Sequence, residues 1–313
     1  MRRMAGLLAA AAALVALSAG AQASPDKPRI VVITHGQAAS GFWTVVKNAV
    51  TQAQKDMPGV TIEYRAPETF DMVAMKQIID ATVNTKPDGI AVSVPDPDAL
   101  GPAIKAAVAA GIPVVTLNSG GDVSKKLGAL RHVGQSEFEA GVGAGERMKE
   151  MGVKHPACVN HEVGNVALDV RCEGFAKGVG VKAEVIPVTP DPTEERNTVG
   201  AYLTSHPDID GLLVLGQDAA IPTLQAVDQA DKLSKVKVAT FDISGPVLEA
   251  IRDGKMAFAI DQQQYLQGYL SVVLLLNYIR YGVMPGADVL TGPGFVTKDN
   301  AAKVIDWAKQ GYR

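Results

Sequence analysis

The sequence is short of the features that mark specialised scaffolds. Only two of its 313 residues are cysteine, which excludes a disulfide-dense fold. It has no long basic run, and the formal net charge is −3, so nothing resembles the electrostatic footprint of a nucleic-acid binder. Aromatics are 5% and charged residues 20%, against 47% hydrophobic, an ordinary globular balance that is neither disordered nor fibrous. Past the N-terminal region no apolar run is long enough to span a membrane; Tyr269–Ile279 comes nearest and contains Asn277. There is no G-x-S-x-G, no P-loop and no solenoid-type repeat.

What the chain does have begins with an address. Met1–Ala23 carries Arg2 and Arg3, an apolar stretch Leu7–Leu17, and Ala21-Gln22-Ala23 before Ser24-Pro25. These are the parts of a secretory signal with its cleavage site. No Cys directly follows the apolar stretch, so a lipid anchor is not expected. The mature protein is predicted to be free and soluble in an oxidising compartment, most simply a bacterial periplasm. In that compartment Cys158 and Cys172 are expected to pair, with two buried thiols as the alternative. The spelling His155-x2-Cys158-x2-His161 also suggests a metal site, but Cys158 and His161 differ in strand parity, so no metal is expected.

The mature chain alternates short β-branched runs with helical patterns. Ile30–Thr34, Val60–Tyr64, Gly89–Val94, Pro113–Leu117, Ala157–Asn160, Ala183–Val188, Gly211–Leu215, Val236–Phe241 and Ala257–Ile260 read as strands buried on both faces. Between them, segments such as Phe42–Met57, Asp71–Val83, Glu137–Met151 and Gln264–Tyr281 place apolar residues three and four apart. Repeated βα units imply parallel sheets covered by helices. A closed eight-unit barrel is the rival to two open doubly wound domains, and the open pair is preferred. Leu127–Val133 reads as an additional strand after the polar loop Asn118–Lys126, which breaks the rhythm where a crossing between domains would fall. The glycines of Gly141-Val142-Gly143-Ala144-Gly145 lie within a helical pattern, not after a strand, and read as close helix packing.

Ligands of open α/β sheets bind at the carboxyl ends of strands, so the residues there are the candidates. They are His35 and Ser40 with Phe42-Trp43, then Asp96 and Asp98, Asn118, His161-Glu162 with Arg171, Gln217-Asp218, Asp242 and Gln262. Carboxylates, carboxamides and a guanidinium can bond adjacent hydroxyls in pairs, and an aromatic face suits a C–H surface. The combination fits a small polyhydroxylated ligand. Polar residues at strand ends also cap helices, so each one has a purely structural alternative.

At these residues the chain resembles the periplasmic sugar-binding proteins of ABC importers, in the ribose/galactose-binding class. The similarity is carried by Gly41–Trp43, Val94–Leu100, Ala109–Ser119, Arg171–Phe175, Thr204–Asp218, Val238–Asp242 and Gly254–Gln263. It implies two Rossmann-like lobes joined by three crossovers, the type I periplasmic binding protein fold. The implied lobes are residues 24–118 with 263–291, and 119–262 with 292–313. It further implies that Phe42 and Trp43 pack a sugar ring, that Asp96 or Asp98 is the first-lobe carboxylate, and that Asn118 is a polar group at the first crossover. Arg171 would fork onto sugar oxygens, with Gln217, Asp242 and Gln262 as further hydrogen-bonding positions. Gln217 stands where ribose binders carry Asn, and Pro190 where many carry an aromatic. These departures point away from ribose, towards a hexose, another pentose or a sugar alcohol. The expected partners are that ligand and an ABC permease, with a chemoreceptor role compatible and the protein a monomer. No cofactor and no catalysis are expected. A secreted α/β enzyme acting on a small polar substrate is the competing reading.

Overall fold

The computed structural model describes residues 27–36 and 40–313. The segment read as a signal lies outside them. In β1 (Arg29–Ile33), Ile30 and Val32 pack on one face and Val31 and Ile33 on the other, all fully buried. That double burial is why the strand is a continuous apolar run.

The first lobe continues through α1 (Gly41–Asp56), β2 (Thr61–Arg65), α2 (Met72–Asn84), β3 (Gly89–Val92), α3 (Pro97–Ala109), β4 (Val114–Asn118), a short α4 (Gly121–Ser124) and β5 (Arg131–Gly134). The second lobe comprises α5 (Glu137–Glu150), β6 (Pro156–Asn160), α6 (Val166–Val179), β7 (Glu184–Pro187), α7 (Pro192–Ser205), β8 (Gly211–Val214), α8 (Gln217–Gln229), β9 (Lys237–Phe241), α9 (Gly245–Arg252) and β10 (Phe258–Asp261). The chain then returns to the first lobe with α10 (Gln264–Tyr281) and β11 (Val289–Leu290), and ends in the second with β12 (Gly294–Thr297) and α11 (Ala301–Lys309).

Two open six-stranded sheets result, ordered β11-β5-β4-β3-β1-β2 and β12-β10-β9-β8-β6-β7. The barrel is thereby excluded. All pairings are parallel except β10 with β12, and the two orders correspond strand for strand. Each sheet is sandwiched between two apolar clusters. Among the described residues no helix is long and apolar enough to cross a membrane.

One boundary differs from the sequence reading. The expected first crossing at 118/119 does not occur, because β5 pairs with β4 in the first sheet, Asn118 opposite Gly134. The polar stretch after Asn118 is a local return: Gly120, at φ 94°, caps α4, and Leu130 N bonds Val114 O at 2.8 Å. The chain first changes sheet after Gly134, again between Asp261 and Gln264, and a third time between Leu290 and Gly294. Buried amides tie the last two passages together. Thr291 Oγ1 donates to Gln262 O (2.7 Å), Gln263 Nε2 to Thr291 O (2.6 Å) and Gln267 Nε2 to Gln262 Oε1 (3.0 Å).

Candidate functional site

In each sheet the chain reverses direction of winding beside its first strand, between β1 and β3 and between β6 and β8. Loops diverge at such a point and leave a crevice beyond the strand ends. Here the two crevices face one another, and a cleft of about 270 Å³ lies between the lobes. At ~30 Å³ per water that is room for about nine waters, a space suited to one hydroxylated ring.

The first lobe supplies an uncharged wall. His35 follows β1 and is fixed by Ser93 after β3, whose Oγ lies 2.8 Å from His35 Nδ1 and accepts the His35 N–H at 3.0 Å. Burial drives the His35 pKa down to about 4, so the ring is neutral at pH 7. Trp43 meets His35 edge to face at 4.7 Å and Phe42 at 4.8 Å. Trp43 lies so close to the backbone of Gly36 that a Cβ there would sit 2.0 Å from the indole. Asn118 ends β4 in the left-handed region at φ 61° and donates to Gln262 Oε1 (3.1 Å) and Gln267 Oε1 (3.2 Å).

The second lobe supplies the charges. Arg171, on α6, is buried and forks onto Glu137 of α5, Nε to Oε2 at 2.6 Å and Nη2 to Oε1 at 3.2 Å. Its Nη1 donates to Leu215 O at 2.8 Å, and its guanidinium lies 4.3 Å above Phe241. Two of its five N–H groups are left for the cleft. Asp242 ends β9, the strand equivalent to β4, and shares the left-handed backbone of Asn118 with φ 68°. Burial pushes its pKa up to about 7, opposed by Arg171 and by the Gln262 amide, which donates to it at 2.6 Å. Glu195 is also buried, takes a bond from Thr223 at 3.0 Å, and is pushed up to about 7 by burial. His161 is lowered to about 4 by burial, and its buried Nδ1 has no partner.

Contacts between the lobes show them closed on one another. Ser40 Oγ donates to Asp218 Oδ2 at 2.7 Å. Gln217, taken in the orientation that satisfies both ends of its amide, accepts from Phe42 N at 2.8 Å and donates to Ile243 O. Val166 N donates to Pro95 O at 3.0 Å, and His35 Nε2 lies 3.8 Å from Glu162 Oε2.

Twelve of the fourteen residues read from the sequence therefore converge on one cleft: His35, Ser40, Phe42, Trp43, Asn118, His161, Glu162, Arg171, Gln217, Asp218, Asp242 and Gln262. Asp96 and Asp98 do not. Asp96 is the N-cap of α3, its Oδ1 accepting from Asp98 N (2.9 Å) and Ala99 N (3.0 Å), and Asp98 is exposed in the first turn. A carboxylate placed before a first-turn proline is spent on the helix. The cleft also takes in Ser119, Asn165 and Glu195, and Pro190 lies on its wall. Glu195 and Glu137 carry no sequence signal.

Two devices hold Arg171 in place. Cys172, its neighbour, is bonded to Cys158 of β6, with Cα atoms 6.1 Å apart, so neither sulfur is a free thiolate for a metal. Among the described residues no group of three His, Cys, Asp or Glu is arranged to hold a metal ion. The second device is the contact of α5 with α6. A Cβ on Gly141 would fall 2.2 Å from Arg171 O, and one on Gly174 would fall 2.2 Å from Phe138 O. Only glycine permits this approach, which brings Glu137 within reach of Arg171.

The family described as "periplasmic binding protein domain" matches residues 30–282. The chain belongs to the periplasmic binding protein family. A member of known structure, a carbohydrate transporter from Acidothermus cellulolyticus 11B in complex with myo-inositol, is 40% identical, with a TM-score of 0.87 over 92% of this chain and 100% of that one. An ABC transporter solute-binding protein from Burkholderia graminis C4D1M in complex with D-arabinose is 26% identical, with a TM-score of 0.78 over 87% of this chain and 96% of that one. Among curated relatives, the ribose import binding protein RbsB of Salmonella typhimurium is 28% identical over 84% of this chain and 87% of its own. The two-lobed fold implied by the sequence resemblance is the family's fold.

Proposed function

We propose that this chain is a periplasmic solute receptor that captures one polyhydroxylated ring, a monosaccharide or cyclitol, between its lobes. The observation that carries the reading is the closed cleft, with an aromatic wall on one lobe facing Arg171, Asp242 and Gln217 on the other. Each hydroxyl buried there needs a partner, because an unsatisfied polar group costs ~1–3 kcal/mol. The lining offers both donors and acceptors, which favours a ring with hydroxyls around its rim and disfavours deoxy analogues. A ligand shifts the lobes towards closure only by binding the closed form better. Ser40–Asp218 and Gln217–Phe42 are contacts that only the closed form makes.

The myo-inositol in the 40% identical relative supports a cyclitol as the first ligand to try. The similarity to ribose and arabinose binders supports pentoses next. Delivery to an ABC permease, secretion through Met1–Ala23, a monomeric state and a signalling role with a chemoreceptor belong to the same proposal. The enzyme reading draws no support from the relatives, which are named for binding and transport. The test is a thermal-shift panel of cyclitols, pentoses, hexoses and deoxy sugars on refolded mature protein, followed by calorimetry. A stereochemically narrow, 1:1 ligand recovered unchanged supports the proposal. Turnover of the ligand would replace it with the enzyme reading.

A further inference from the structure

The cleft, read as a ligand site, also constrains the charge of its ligand, an inference that rests on that reading. Among the described lining residues there are four carboxyl groups, Glu162, Glu195, Asp218 and Asp242, and one guanidinium, Arg171. All five belong to the second lobe. The guanidinium still has two N–H groups for a ligand, but its charge is already matched by Glu137, onto which its Nε and Nη2 are forked. The two imidazoles, His35 and His161, are neutral at pH 7. The first-lobe wall adds hydroxyl, amide and aromatic groups and no cation.

Helix N-termini attract anions, and α1, α6 and α8 begin at the cleft. Their groups are taken. Phe42 N is bonded by Gln217, Ala167 N by the Asn165 side chain, and Asp218 occupies the first turn of α8. A ligand anion closed into this space would meet four carboxyl groups against a single guanidinium that is already paired with Glu137. A ligand ammonium would find carboxyl groups on one side and the aromatic wall of Phe42 and Trp43 on the other.

We propose that the cleft accepts polyol rings bearing an ammonium group as well as neutral ones, and rejects rings bearing phosphate or carboxylate. The position of the second-lobe carboxyls sets this rule, and the elevated pKa values of Asp242 and Glu195 add a signature. Asp242 faces Arg171, Glu137, Asp218 and Gln262, and Glu195 faces Asp218, Arg196 and Thr223. Both carboxyls are part-protonated near pH 7, so a bound ammonium draws protons off them.

The test is calorimetry at pH 7 with three ring-matched probes: myo-inositol, amino-deoxy-inositols with the amine at each position, and inositol monophosphates. At least one amino ring is expected to bind as tightly as the neutral ring and to release protons, read from the dependence of the heat on buffer ionisation enthalpy. Every monophosphate is expected to bind at least about a hundredfold more weakly, since juxtaposed like charges cost several kcal/mol. In Glu195→Gln the affinity ratio of amino to neutral ring is expected to fall. Should the neutral ring bind and no amino ring do so, or a monophosphate match the neutral ring, the charge rule fails while the receptor reading stands. Should only an amino ring bind, the preference for a cation over an anion stands, but the acceptance of neutral rings fails. Should none bind, the charge rule falls, and the receptor reading is decided by the pentose and hexose panel.

Discussion

Arg171→Ala is expected to destabilise the ligand-free protein as well as weaken binding, and the two effects have separate causes. The Arg171 and Glu137 side chains are only 5% and 10% exposed, and they meet through two hydrogen bonds. Removing the cation leaves the buried Glu137 carboxylate with only the Gln135 amide, which donates to it at 2.9 Å. Breaking a buried pair from one side costs about 3–5 kcal/mol, a large part of the ~5–15 kcal/mol that holds a typical domain. Glu137→Gln in the Arg171→Ala background removes the stranded charge, so it should restore at least ~1.5 kcal/mol, the low end for a hydrogen bond to a charged group. Urea unfolding of the four proteins of the cycle, followed by far-UV circular dichroism, gives these differences directly. If Arg171→Ala alone lies within ~1 kcal/mol of the parent, or if Glu137→Gln destabilises the Arg171→Ala protein further, the pair is not a buried, mutually dependent unit.

Other consequences follow from particular contacts. Replacing Cys158 and Cys172 by serine opens a loop with a sequence separation of 14; it should cost ~3 kcal/mol in the chain-entropy model and lower the melting temperature, with an unchanged melting temperature as the contrary result. Gly174→Ala should destabilise despite the better helix propensity of alanine, because its Cβ meets Phe138 O at 2.2 Å. Gly200→Ala, on the open face of α7 with nothing within 4 Å, should instead stabilise by roughly 0.5–1 kcal/mol; chemical denaturation that moves both variants the same way contradicts the close approach of α5 and α6. Glu195 has its pKa raised in the folded state to about 7 from 4.5, so its stabilising contribution is complete below 4.5 and is lost as pH rises through 7. Glu195→Gln should therefore gain stability relative to the parent between pH 4.5 and 8, and a relative stability independent of pH, read from urea midpoints, would contradict the buried protonated carboxyl.

Much of the fold is legible in the sequence because a parallel sheet covered on both faces leaves an apolar run for each interior strand. Ile30–Ile33 and Leu212–Leu215 are such runs, and all eight residues are fully buried. The edges are less legible. β11 has two residues and β12 four, too few to show a period. The helix α7 escapes because its buried positions are Glu195, Val199 and Leu203, one of them charged. The boundary after Asn118 is misplaced because a polar, glycine-rich loop has the same composition whether it leaves a lobe or turns back within it.

In the cleft, residues at strand ends are readable by position, which brings twelve of the fourteen named candidates together. Asp96 shows the weakness of that logic, since a strand-end carboxylate and a helix cap occupy the same place in sequence. Glu137 shows the other limit. It reaches Arg171 from 34 residues away, and only the packing of Gly141 and Gly145 against Gly174 and Gly178 brings it there. The glycine run itself is readable as a packing surface, but what it positions is not.

The central claim is that a polyhydroxylated ring binds between the lobes and holds them closed. Small-angle scattering with calorimetry on the same refolded sample tests it most directly, with myo-inositol first and the pentose and hexose panel after it. The account predicts 1:1 binding by one stereochemically narrow ring, a smaller radius of gyration on binding, and loss of both in the Arg171→Ala, Glu137→Gln protein. A protein that binds no polyol, or binds one with no change in its radius of gyration, would contradict it.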